Sequence, residues 1–276
     1  MTESVRGYQH WDGTLRSGRP IGTIMQAELR RLRTNSWAIL TAGGGLAWAL
    51  ASTIQLYQFR DAGDAVHDIA GFTAMLDQLR WFILATAAVL GTPALLEDAR
   101  LGALELYLSR PLTRWDHVLG KALAVLLVCI GIYGVSIALY TIAAYALFDQ
   151  QPAGWAWAPA TGFLYGALWS ILAAGAALAV SCLTRNARAA AAGFFGGAVA
   201  IHIASADVLP RLTDNEAVSI LSPFSAHAAI QPWLFQGIDA GAFPPWWGLT
   251  EILALAVVAW AIVALRHPRL PGVEDA

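Results

Sequence analysis

The sequence predicts an all-α polytopic membrane protein: six transmembrane helices with both termini cytoplasmic. Three observations predict it. The 276 residues are 57% apolar and only 13% charged, with a mean hydropathy of +0.54, whereas soluble domains run at roughly 45–50% apolar and about 25% charged. Apolar runs of near-span length recur along the chain, and arginine collects in alternate connections between them. Water is therefore not the main solvent, which excludes a soluble enzyme, a nucleic-acid binder and a disordered chain. A net charge of -2 offers nothing to a polyanion.

In chain order, residues 1–20 carry Arg6, Arg16 and Arg19 without an apolar run, so they read as a cytoplasmic N-terminal segment and not as a cleaved signal. Residues 21–34 begin IGTIMQAELRRLR, placing Ile21, Ile24, Met25 and Leu29 on one helical face and Glu28, Arg30, Arg31 and Arg33 mostly around the other. That is the pattern of a short helix lying in the membrane interface, an elbow before the first span. The six-span domain occupies 35–266 and a cytoplasmic tail 267–276.

About 20 apolar residues cross a bilayer as a helix, and only closed backbone hydrogen bonding survives there. The runs are Trp37–Leu56, Trp81–Leu96, Leu119–Phe148, Ala160–Leu183, Ala187 to about Ile203, and Gly248–Leu265. The second has only 16 residues and contains Pro93, but a five-span count would put the chain ends on opposite sides. With the N-terminus inside, 14 of the 17 Arg and Lys fall in inner segments and three, Arg60, Arg80 and Arg211, in outer ones. The outer segments are 57–79, with Asp61, Asp64, Asp68 and Asp77; 149–159; and 204–247, whose five prolines break any long helix. Trp155, Trp157, Trp233, Trp246 and Trp247 there suit an interfacial aromatic belt.

The inner loop 97–118 carries Leu101, Leu104, Leu108 and Leu112 at three- and four-residue steps, flanked by Glu97, Arg100 and Glu105 and stopped by Pro111. A helix held between two spans and facing the cytoplasm is a lever, or else a loop helix that only satisfies its own backbone. From Glu97 or Asp98 through Gly102, Leu104, Glu105, Leu106, Leu108, Ser109, Arg110, Pro111 and Arg114 to Gly120 and Lys121, about 25 positions follow one pattern. The pattern resembles the coupling loop of ABC-2 type ATP-binding-cassette transporter permeases, with Ala103 in place of the usual Thr.

The resemblance implies a permease that pairs with a second permease subunit, as a homo- or heterodimer in a prokaryotic inner membrane. A separate cytoplasmic ATPase would dock on the elbow and coupling loop and bind the ATP and Mg, leaving this chain without a cofactor of its own. Glu97, Gly102, Glu105, Arg110, Pro111 and Arg114 are the implied ATPase-coupling positions, and Glu28 and Arg31 the implied elbow positions. Substrate would be driven outward. The chain itself has no phosphate-binding loop, because Lys121 follows Gly120 but precedes Ala122 and Trp115 stands where the first glycine belongs.

Other classes find less in the residues. Six histidines are scattered singly, no Gly-x-Ser-x-Gly or His-Glu-x-x-His occurs, and Cys129 and Cys182 sit in apolar stretches as packing residues. No catalytic residue or metal ligand is therefore assigned. His202 and Asp207 near the outer end of the fifth span are candidate substrate contacts, since polar groups at membrane depth are expensive; the ordinary alternative is satisfied packing. An intramembrane enzyme, or a metal- or haem-related accessory built on His202, is the competing reading. A channel is disfavoured, because acidic residues are nearly absent from the spans, Glu251 aside. Small residues, including Gly162/Gly166 and Gly193/Gly197, favour close helix approach among membrane lipid, and the apolar walls favour an apolar or amphipathic cargo.

Overall fold

The computed structural model describes residues 20–59, 65–100, 113–148, 155–235, 238 and 244–266, and every regular element among them is helical. Helix α1 (Pro20–Leu32) precedes α2 (Ser36–Phe59), α3 (Ala65–Ala94) and the short α4 (Leu96–Arg100). Next come α5 (Arg114–Leu147), α6 (Ala158–Leu183) and α7 (Ala187–His202). A π-helical turn (Ile203–Val208), α8 (Leu209–Thr213), a 3-10 turn (Glu216–Leu221), α9 (Pro223–Ala228) and α10 (Gln231–Leu234) lead to α11 (Pro245–Arg266).

Six of these helical stretches are long and apolar enough to cross a bilayer, the third to fifth being Trp115–Leu147, Ala158–Leu183 and Ala187–Thr213. Local chemistry sets their starts. Asn35 accepts the Trp37 and Ala38 N–H groups below α2, and Asn186 those of Arg188 and Ala189 below α7. Thr113 and Asp116 close a reciprocal capping box on α5.

Two segments depart from the sequence reading. The second span does not begin at Trp81: α3 starts at Ala65, so Ile69–Leu76, Asp77 and Arg80 lie in a helix and not in an outer loop. Arg80 thus leaves the count of outer-loop cations. Charge at Asp77 and Arg80 hid the helix from a hydropathy reading, although the two neutralise each other one turn apart. The fifth span likewise continues past Ile203. Pro210 cannot donate to the turn below it, and the ladder widens to a π turn in which Leu209 N–H reaches Ala204 O.

Pro93 ends α3 at its other end, freeing the N–H groups of Leu95 and Leu96. The Ser181 hydroxyl of α6 accepts both, at 3.3 and 3.1 Å. The core lies between α3 and α6, whose spans are 72% and 61% buried, while the fifth is only 11% buried. Phe72, Leu79, Ile83, Tyr133, Tyr165 and Trp169 fill that core. Gly166 is required there, since a Cβ would stand 2.5 Å from the Tyr133 ring.

Candidate functional site

Two polar clusters interrupt the apolar bundle, one at each end. The first joins α1, the α3–α4 break and the foot of α5. The capping box sets the phase of α5 so that His117 and Lys121, four residues apart, share its inner face. Lys121 Nζ lies 2.7 Å from Asp98 Oδ2 and 3.4 Å from Glu28 Oε2, and it donates to the Ala94 carbonyl freed by the Pro93 break. His117 Nε2 meets the same Asp98 oxygen at 2.8 Å. Arg31 bridges outward from Glu28, at 3.7 Å, to Glu97 on α4.

Lys121 and His117 are buried, as are Glu28 and Asp98. A lone ammonium in such a place would be very costly, whereas one held by two carboxylates and a carbonyl is satisfied. One lysine therefore ties three segments: α1 through Glu28, the break after α3 through Ala94 and Asp98, and α5 through its own backbone. Gly120, its neighbour, permits the approach. A Cβ there would come within 2.8 Å of Ile24 Cβ and 3.1 Å of the Ile21 carbonyl on α1.

Of the residues named from sequence, Glu28, Arg31 and Glu97 are brought together in this network. Gly102, Glu105, Arg110 and Pro111, and the side chain of Arg114, lie outside the described residues. Asp98 and Lys121, which the sequence pattern included without giving them a role, and His117, which it did not include, complete the network. The i, i+4 pairing of His117 and Lys121 at the start of an apolar run was the signal that marks them.

The second cluster lies at the opposite end, between α3, α6 and the α9–α10 segment. Asp77 Oδ1 accepts from the Tyr165 hydroxyl at 2.6 Å and Gln231 Nε2 at 2.8 Å, and pairs with Arg80 at 3.1 Å. Arg80 Nη1 donates to the Phe224 carbonyl, and Trp169 Nε1 donates to the Arg80 carbonyl at 3.1 Å. His227 stacks on Tyr165 with centroids 3.8 Å apart, and its Nε2–H donates to the Tyr165 carbonyl at 3.0 Å. Burial, with the Arg80 cation nearby, holds the His227 imidazole well below the usual histidine range, so it stays neutral.

His202 joins the margin of this cluster, sharing a 2.7 Å hydrogen bond with Ser222 and meeting the Trp81 ring edge-on at 5.4 Å. Asp207 is exposed on the π turn. The geometry gives His202 a packing partner set, and no group of three metal-ligating side chains converges among the described residues.

No curated protein is similar enough to match the chain. The family model described as ABC-2 family transporter protein matches residues 23–267, from within α1 to the end of α11. With six candidate spans and the α1–α4–α5 network inside that stretch, the chain belongs to the ABC-2 family of transporter proteins, as a multi-pass permease subunit and not the ATPase itself.

Proposed function

We propose that the chain is the permease of an ATP-driven exporter of an apolar or amphipathic substrate, working in the inner membrane of a prokaryotic cell. Its α1 end faces the cytoplasm, where a separate ABC ATPase binds ATP and Mg and grips the elbow and the 97–118 loop. A second permease copy completes the pathway. The family relationship supports the ATPase partner in general terms.

The observation that carries the reading is the buried Lys121 node. Glu97 and Asp98 stand on α4 at the start of loop 97–118, and both carboxylates are held to cations that belong to α1 and to α5. Displacement of the loop root by a docked motor therefore moves α1, α3 and α5 together. Arg110 and Arg114 suit carboxylates across an interface, and Glu105 suits a cation there. Exposed pairs of this kind contribute only about 0–1 kcal/mol each, so they set geometry more than affinity.

The test is charge reversal. Arg110→Glu and Glu105→Arg leave membrane insertion intact and lower transport-coupled ATP turnover in vesicles carrying the permease with its co-purified ATPase. Unchanged transport in both variants removes the coupling role.

A further inference from the structure

The polar network at the α1 end borders an open cleft of about 200 Å³ between α1, the start of α2 and the end of α3. One wall is apolar, formed by Val89, Leu90 and Pro93; the other presents Glu28, Arg31 and Glu97. The Arg31 and Glu97 side chains are 44% and 33% exposed, so a ligand in the cleft can reach both. Trp37, two residues past the cleft-lining Asn35, and Trp115 at the foot of α5 are exposed, as tryptophans at headgroup level are.

We propose that this cleft binds one phospholipid bearing a primary ammonium headgroup, with phosphatidylethanolamine as the probe. The cleft itself is lined by two carboxylates, Glu28 and Glu97, against one cation, Arg31, while Asp98 lies behind it, held by Lys121 and His117. The excess carboxylate calls for a cation. An ammonium donates three hydrogen bonds from a compact point, which suits the pair of glutamates. The phosphate that follows it meets the exposed Arg31 guanidinium. The Asn35 side-chain oxygen is committed to capping α2, which leaves its amide N–H groups to donate to the same phosphate. An acyl chain then continues over Val89 and Pro93 into the bilayer. A trimethylated choline has no N–H to offer, and a glycerol headgroup carries no cation, so both bind less well.

The site does not depend on the ATPase, so its failure leaves the permease reading standing, and loss of that reading leaves the site standing. The full chain is purified in mild detergent and reconstituted in nanodiscs of phosphatidylcholine, into which phosphatidylethanolamine or phosphatidylglycerol of matched chains is titrated. Retained lipid is counted by native mass spectrometry. One phosphatidylethanolamine per chain is expected to survive delipidation, with a preference of about tenfold over phosphatidylcholine. Glu97→Gln and Arg31→Gln reduce that preference to about twofold or less. With Glu97 and Arg31 intact, phosphatidylethanolamine alone raises the unfolding midpoint, and in a Thr34→Cys variant it shields that cleft-rim thiol from a thiol reagent.

Equal retention of the three headgroups overturns the proposal, as does an unchanged preference in both variants. Shielding of Thr34→Cys by the ATPase but not by phosphatidylethanolamine assigns the cleft to the motor and overturns it too.

Discussion

Lys121 is held in an apolar bundle by Asp98, Glu28 and the Ala94 carbonyl. Lys121→Met removes the nearest cation of both carboxylates, leaving Asp98 to His117 and Glu28 to Arg31 at 3.7 Å. Breaking a buried pair from one side costs about 3–5 kcal/mol, whereas removing both partners costs far less than the sum. Lys121→Met is therefore expected to lower the unfolding midpoint in detergent sharply, and Lys121→Met with Asp98→Leu to recover at least about 1 kcal/mol of that loss. His227 gives the second prediction at this scale. Its folded-state affinity for a proton is depressed, so the unfolded chain binds protons better. The stability contributed by neutral His227 is complete above about pH 6.5 and is lost as pH falls below that value, by up to about 1.4 kcal/mol per pH unit. His227→Phe keeps a ring on Tyr165 and is expected to flatten the dependence of unfolding midpoint on pH between 7 and 5. Such side chains were hard to read from sequence because their partners are distant: Asp77 and Gln231 are 154 positions apart. Glu28, Arg31 and Glu97 were legible only as motif members, and nothing in their spacing announced that Arg31 meets Glu97.

Among the elements, α1 is the one whose position depends most on a single missing side chain. It packs chiefly on α5, and Gly120 lets Ile24 and the Ile21 carbonyl come close. Gly120→Leu drives a branched side chain into that contact, an overpacking that costs about 1–3 kcal/mol and displaces α1. Transport-coupled ATP turnover is expected to fall while insertion persists, measured beside Gly131→Leu, which meets nothing within 4 Å of its Cβ. Equal loss in both variants would refute the contact. The spans themselves were legible because an apolar run of the right length has few other fates in a bilayer. Their ends were not. Hydropathy stops at the first charge, so the ion-paired Asp77 and Arg80 concealed half of α3, and Pro210 concealed the helical continuation through Val208. A proline ends a helix only where the freed backbone finds no substitute; here a π turn supplies it, and after Pro93 the Ser181 hydroxyl does.

Across the whole molecule, burial is uneven in a way that composition could not reveal. The third and sixth helices form the centre, while the α7 span is only 11% buried, and Gly193, Gly196 and Gly197 have nothing within 4 Å of where a Cβ would stand. Gly162 and Gly166 look alike in sequence yet pack against Phe72 and Tyr133. Small residues stabilise a membrane helix only when a second helix uses the space they leave, since lipid tails fill it poorly. The proposed second permease is the partner that would use it. In a background with Cys129 and Cys182 replaced by serine, Gly193→Cys and Gly197→Cys are expected to cross-link two copies under mild oxidation. Phe163→Cys, on the exposed side of α6, is expected not to. Gly193→Leu with Gly197→Leu fills the gap with branched side chains and is expected to shift the purified protein from dimer toward monomer by about tenfold or more in dissociation constant, as loss of roughly 1.4 kcal/mol of helix packing requires. Cross-linking confined to Phe163→Cys would place the pairing face on α6 and leave α7 to lipid.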